Sequence, residues 1–125
     1  MGLPEAAAGI DQPGFQALLR LLEAKHVWVK LAGADRITRA SGRLRNAIPF
    51  IRALAAVAPE RLVWGSDWPH IGFHSRQPVQ DEAVLPYRAL DAGELLDILI
   101  EAIPDAGLRR GILTINPAKL YGFEP

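Results

Sequence analysis

The sequence predicts a parallel α/β architecture, and three observations point to it. Two short apolar runs, Val27–Leu31 and Leu62–Gly65, are rich in β-branched and aromatic residues and too short for helices. A helical repeat lies between them, so the strands it joins run parallel with a right-handed crossover. The second run stops in Gly65-Ser66-Asp67-Trp68-Pro69-His70. That places a carboxylate at the carboxyl end of a strand, where parallel α/β proteins bind ligands and do chemistry.

Residues 1–13 read as a loop rich in Gly, Pro and Ala. Phe15, Leu18, Leu19 and Leu22 then recur at helical spacing. After the first strand, Gly33 to Arg45 is a polar loop carrying Arg36, Arg39, Arg43 and Arg45. Asn46 is placed to cap a helix whose first turn tolerates Pro49. Ile48, Ile51, Leu54 and Ala55 form that helix's buried stripe, and Pro59 ends it. Leu62-Val63-Trp64 reads as a buried strand, with Gly65 admitting another backbone closely. A long loop runs from Pro69 to Leu90. Asp91 and Glu94 have the spacing of a capping box, and Leu95, Ile98, Leu99 and Ala102 supply the next apolar face. Pro104 stops that helix, and Asp105 is placed to cap another with Leu108, Ile112 and Ile115 as its candidate buried residues. Asn116-Pro117 reads as a fresh start by cap and first-position proline, closed by Gly122. Both strands look apolar on both faces, as in sheets covered on each side. Two strands alone make an unconvincing independent sheet.

The totals exclude several classes of function. Fourteen basic and fourteen acidic residues cancel, and no basic run occurs, which argues against nucleic acid as a partner. Cysteine is absent, which removes disulfides, thiolate nucleophiles and zinc–thiolate sites. No stretch approaches 18 consecutive apolar residues, so no membrane span is expected. Met1–Glu5 lacks the charged and apolar regions of a signal peptide, and a cytoplasmic protein is expected. At 125 residues the chain can hold one domain with a real core.

Several side chains are candidates for chemistry. Asp67 is either a general base held by a rigid strand or a carboxylate that caps the following turn. Arg36, after the Gly33 bend, either grips a carboxylate through its planar fork or is one of four solvated loop arginines. His70 and His74 stand four apart, a metal-pair spacing on a helix, but Pro69 and Gly72 oppose a helix there. His70 either lines a pocket near Asp67 or stabilises a turn. His26 lies at the entry end of its strand and reads as a helix C-terminal residue. Trp64 and Trp68 read as packing residues, Trp68 also as a candidate pocket wall. Lys30 sits inside the first strand, where an unpaired ammonium would be costly. Ser66 has no base spaced to activate it, and Gly-x-Ser-x-Gly does not occur.

Three motifs together carry a resemblance. Trp64-Gly65-Ser66-Asp67-Trp68-Pro69-His70, Val27-Trp28-Val29-Lys30-Leu31-Ala32-Gly33 with Arg36, and Asn116-Pro117-Ala118-Lys119-Leu120-Tyr121-Gly122-Phe123 resemble the amidohydrolase-related proteins of the metal-dependent hydrolase superfamily. The likeness is greatest to the branch of 2-pyrone-4,6-dicarboxylate hydrolase and related lactonases, and it runs over nearly the whole chain. It implies a (β/α)8 TIM barrel, which typically needs about 250 residues. The chain is therefore expected to be one partial domain over residues 1–125, the C-terminal part of a barrel with the N-terminal strands absent.

The resemblance also implies a chemistry. Asp67 would take a proton from the hydrolytic water, and would bind the metal as well if the parent is metal-dependent. Arg36 would hold a substrate carboxylate, His70 would shape the pocket, and Lys30 would point into the barrel toward a buried carboxylate. The implied substrate is a lactone of a small carboxylated ring compound, with a pyrone dicarboxylate from aromatic breakdown as the best single example. The implied cofactor is none or one divalent metal such as zinc. The superfamily's His-x-His pair occurs nowhere in this sequence. A hydrolytic metal site needs about three protein ligands, so the isolated chain is expected to be inactive. Alternatives are a metal-dependent aromatic-acid decarboxylase of the same superfamily, and a non-catalytic half-barrel that acts by self-association or by complementation with an N-terminal part. A complete small binding domain that merely shares the motif is a third.

Overall fold

The structure, a computed structural model, describes residues 1–2, 4–37, 44–70, 87 and 89–124. Its elements are α1 (Pro13–Glu23), β1 (Val29–Leu31), α2 (Ile48–Val57), β2 (Leu62–Trp64), α3 (Ala92–Ala102), α4 (Ala106–Arg110) and α5 (Asn116–Tyr121). The predicted order of helix, strand, helix, strand is present. The strands pair in parallel, with Val29 opposite Leu62, Lys30 opposite Val63 and Leu31 opposite Trp64. Both are shorter than the sequence runs that predicted them, which extend two residues before β1 and one after β2.

The first helix starts at Pro13, whose fixed φ suits the first turn. The loop before it is tied down by Gln12, whose amide nitrogen donates to the carbonyls of Gly9 (2.6 Å) and Glu5 (3.0 Å). Phe15 and Leu22 are buried, and the Phe15 ring meets Phe50 of α2 edge-on at 5.0 Å. Ile48, Phe50, Ile51 and Leu54 point α2 into the core. Leu95, Ile98, Leu99 and Ala102 do the same for α3, as their spacing predicts. The core gathers between these helices and one face of the strands, with Leu22, Leu54, Leu62, Leu99 and Ile112 fully buried.

Four local expectations are corrected. Asn46 does not cap α2: it lies in a 3₁₀ turn over Leu44–Ala47 that runs straight into the helix. Asn116 does not start a new helix. The chain stays helical from Ala106 to Tyr121 through a wide π turn at Gly111–Ile115. The Asn116 side chain is buried instead and donates from Nδ2 to the carbonyls of Pro59 (2.8 Å) and Leu62 (2.7 Å). Leu108 and Ile115 are exposed, and only Ile112 of the three is buried. Finally, β1 is not apolar on both faces, because Lys30 lies exposed between buried Val29 and Leu31.

Both aspartates expected to cap helices do so. At Asp91, however, the bond goes to Gly93, and the reciprocal bond of a capping box from Glu94 is not present among the described residues. Asp91 accepts from the Gly93 amide at 2.7 Å and Asp105 from the Leu108 amide at 2.7 Å. Gly122 closes the last helix in the left-handed region, at φ 73°. Among the described residues, no helix is long and apolar enough to cross a membrane.

Candidate functional site at the exit of the strands

The carboxyl ends of β1 and β2 open onto one shallow cavity of about 330 Å³. Its lining includes Trp28, Lys30, Gly33, Arg36, Ile37 and Asp67. Each polar member is placed by a simple local device. Beyond β2, Asp67 takes φ 64°, the left-handed region that few non-glycine residues enter. Asp enters it more readily than most, and such outliers gather where function fixes the backbone. Beyond β1, Gly33 takes φ 72°, and its carbonyl accepts from the Arg36 amide at 2.9 Å. That tight turn folds Arg36 back toward β2.

Three charges meet there. Arg36 Nε stands 3.1 Å from Asp67 Oδ2, and Lys30 Nζ stands 3.5 Å from Asp67 Oδ1. The Nε–H of Arg36 is not aimed along its contact, which is therefore ionic and not a hydrogen bond. Arg36 and Asp67 are about equally shielded, with 28% and 29% of their side chains exposed, whereas Lys30 is 54% exposed. Among the described residues, two cations stand against one carboxylate at this cavity, a positive surplus that favours an anionic ligand. The Met1 ammonium donates to the Lys30 carbonyl at 2.9 Å; burial, then the Lys30 charge, lowers its pKa.

The other candidates are arranged differently. His70 is buried, at 5% exposure, and neither ring nitrogen has a hydrogen-bond partner among the described residues. It is not among the residues lining the cavity, so the expected bond near Asp67 is not present there. His74 lies outside the described residues, and with it the His70–His74 pair. His26 is exposed at the entry end of β1, away from the cavity. Trp64 packs against the core, while Trp68 is 77% exposed and is not a pocket wall. Among the described residues, no neighbouring backbone approaches Gly65 closely. A Cβ added there would meet the Lys30 side chain, with Cδ at 3.4 Å. Lys30 is thus the residue that sequence reasoning placed only in outline. Its alternation between Val29 and Leu31 was a usable signal, but its partner depends on register.

The donor set does not fit a divalent metal. Zinc sites use about three N, O or S ligands and leave one position open. Among the described residues, no three His, Cys, Asp or Glu come together. Both oxygens of Asp67 already face cations, and a third cation brought against them would meet repulsion from Lys30 and Arg36.

Comparison with known proteins agrees with this fold. A family model described as amidohydrolase matches residues 1–123. The 4-sulfomuconolactone hydrolase of Rhizobium radiobacter is 43% identical over 97% of this chain, which covers 37% of that protein. The D-galactarolactone isomerase of Agrobacterium fabrum is 34% identical over 92% of this chain and 36% of its own length. A crystal structure proposed to be a 2-pyrone-4,6-dicarboxylic acid hydrolase of Pseudomonas putida superposes with a TM-score of 0.73. The two are 34% identical, over 99% of this chain and 41% of that one. The chain therefore spans roughly two fifths of the length of the relatives it matches. Its parallel strands and helices correspond to the C-terminal part of a (β/α)8 barrel. The chain belongs to the amidohydrolase family.

Proposed function

We propose that these residues form one wall of a lactone-hydrolysing site, with Asp67 as general base and Arg36 as the anchor for a substrate carboxylate. The supporting observation is the meeting of Asp67 and Arg36, 3.1 Å apart, on a cavity that carries surplus positive charge. Arg36 meets Asp67 through Nε, which leaves its paired Nη groups to grip a planar acid group with two parallel hydrogen bonds.

In the reaction, the water oxygen bonds to the lactone carbonyl carbon while Asp67 accepts the water's proton. The ring carbon–oxygen bond then breaks, and Asp67 returns the proton to the departing ring oxygen. The product is an open-chain acid. The substrate class is a small ring lactone bearing at least one carboxylate, and 2-pyrone-4,6-dicarboxylate is the representative compound. No group among the described residues is placed to polarise the lactone carbonyl, so turnover calls for further polypeptide, in the same chain or a separate one. Alone, these residues are proposed to bind substrate without turning it over.

The test is lactone opening in ¹⁸O-water by the chain supplemented with the N-terminal portion of the sulfomuconolactone hydrolase barrel. The expected result is ¹⁸O in the new carboxyl group and a rate lower by about 100- to 10,000-fold in Asp67→Asn. Equal rates for the two proteins would overturn the base assignment. The likeness to a lactone isomerase favours a second reading, in which a substrate hydroxyl replaces water and a rearranged lactone forms without ¹⁸O.

A further inference from the structure

We infer that Lys30 is a positioning residue for Asp67, and that the bare backbone of Gly65 is the path by which it gets there. This rests on the reading of Asp67 as the general base.

Three independent features of the strands converge on it. First, β1 alternates, so Val29 and Leu31 enter the core and Lys30 leaves from the opposite face. Second, the parallel register sets Lys30 beside Val63, two residues short of Gly65. The lysine stem then runs along β2 and crosses Gly65, with Cδ at 3.4 Å and Cγ at 3.9 Å from where a Cβ would stand. Among the described residues, nothing else lies within 4 Å of that point outside the immediate chain neighbours. Third, the stem delivers Nζ to 3.5 Å from Asp67 Oδ1, the oxygen that Arg36 does not face.

Gly65 is not present for its backbone freedom. Among the described residues, the glycines with positive φ are Gly2, Gly9, Gly33 and Gly122, and Gly65 is not one of them. Its contribution is therefore space. A methyl group at 3.4 Å from Lys30 Cδ makes ordinary contact, so alanine fits, whereas a branched side chain fills the path. With Lys30 in place, each oxygen of the carboxylate has its own cation on a separate element. Without it, the carboxylate can pivot about Arg36, and a misplacement of about 1 Å in a catalytic group can cost about 100-fold in rate. Lys30 touches the base, so its effect is on where the carboxylate points.

The test follows the side-chain carboxyl ¹³C resonance of Asp67 in the 125-residue chain. Lys30→Met and Gly65→Val should move it in the same direction by similar amounts, although the second variant keeps every charge. Lys30→Arg and Gly65→Ala should leave it close to the parent position. Amide resonances of α2 and α3 that stay in place report an intact fold. An Asp67 resonance unmoved by Lys30→Met would overturn the positioning role. Movement in Lys30→Met but not in Gly65→Val would overturn the path. Titration with 2-pyrone-4,6-dicarboxylate separates this from the underlying reading: a parent chain that binds no lactone, yet whose Asp67 resonance still follows Lys30, removes the lactone site and keeps the contact.

Discussion

The two ends of β2 are held by opposite means. At its entry, the carbonyls of Pro59 and Leu62 are fixed by two short hydrogen bonds from one buried, neutral side chain, Asn116. At its exit, Asp67 is held in a left-handed conformation by two partly exposed cations that reach it from β1 and from the loop beyond it. The entry contacts are dry and saturated, which suits stability. The exit contacts are wet, charged and longer, and they face a cavity, which suits exchange with a ligand. In parallel barrels this division is general: the carboxyl ends of the strands carry chemistry and the amino ends carry stability. Here the two kinds of contact stand at opposite ends of a strand of three residues.

The largest expected effect lies at the entry. Asn116→Ala removes the only side-chain donor that the described residues offer to those two carbonyls; the Pro59 carbonyl keeps the Leu62 amide, while the buried Leu62 carbonyl loses its side-chain partner. A loss of about 1–3 kcal/mol in urea unfolding is expected. A loss below about 0.5 kcal/mol would show that the clamp is dispensable and would erase the contrast between the two ends. Next comes a substitution at the exit. Asp67→Gly relieves a positive φ while cutting two partly solvated ion pairs, so the terms nearly cancel. Stability within about 1 kcal/mol of the parent is expected, beside loss of the base. If this variant instead unfolds, the exit is structural and the comparison fails from the other side.

How much of this was legible in the sequence depends on how local each interaction is. Asp67 and Arg36 could be placed because each follows a strand run and a turn signal directly in the chain. The Lys30–Gly65 contact could not, because it requires the register between two strands 30 or so residues apart, which no local pattern fixes. Asn116 was misread for a physical reason. Asn followed by Pro is a common helix start, but here the preceding residues widen into a π turn and the helix never stops. That wider turn also rotates the helix face, so Ile112 and Asn116 both stay inward while Ile115 turns to solvent. Gly65 was assigned to space correctly but to the wrong neighbour, a side chain and not a backbone.

The smallest expected effect sharpens the comparison at its entry side. Lys25 and Glu60 precede β1 and β2 and pair at 3.3 Å, largely in solvent. Glu60's own backbone hydrogen bond, and then Lys25, hold its carboxyl below its ordinary value. A carboxylate with a depressed folded pKa stabilises the protein above its unfolded pKa and loses that contribution as pH falls through the folded one. Melting curves between pH 6 and about pH 3 should therefore show a slightly smaller acid loss in Glu60→Gln than in the parent. An equal loss would place the acid sensitivity elsewhere.

The central claim is that the exit of the strands, and not the entry, receives an acidic lactone. The direct measurement is an amide NMR titration of the chain with 2-pyrone-4,6-dicarboxylate, repeated on Arg36→Met. The account predicts shifts at Gly33, Arg36 and Asp67, none at Lys25, Glu60 or Asn116, and binding weakened by about 10- to 100-fold in the variant. Shifts clustered at the entry, or equal affinity for both proteins, would contradict it.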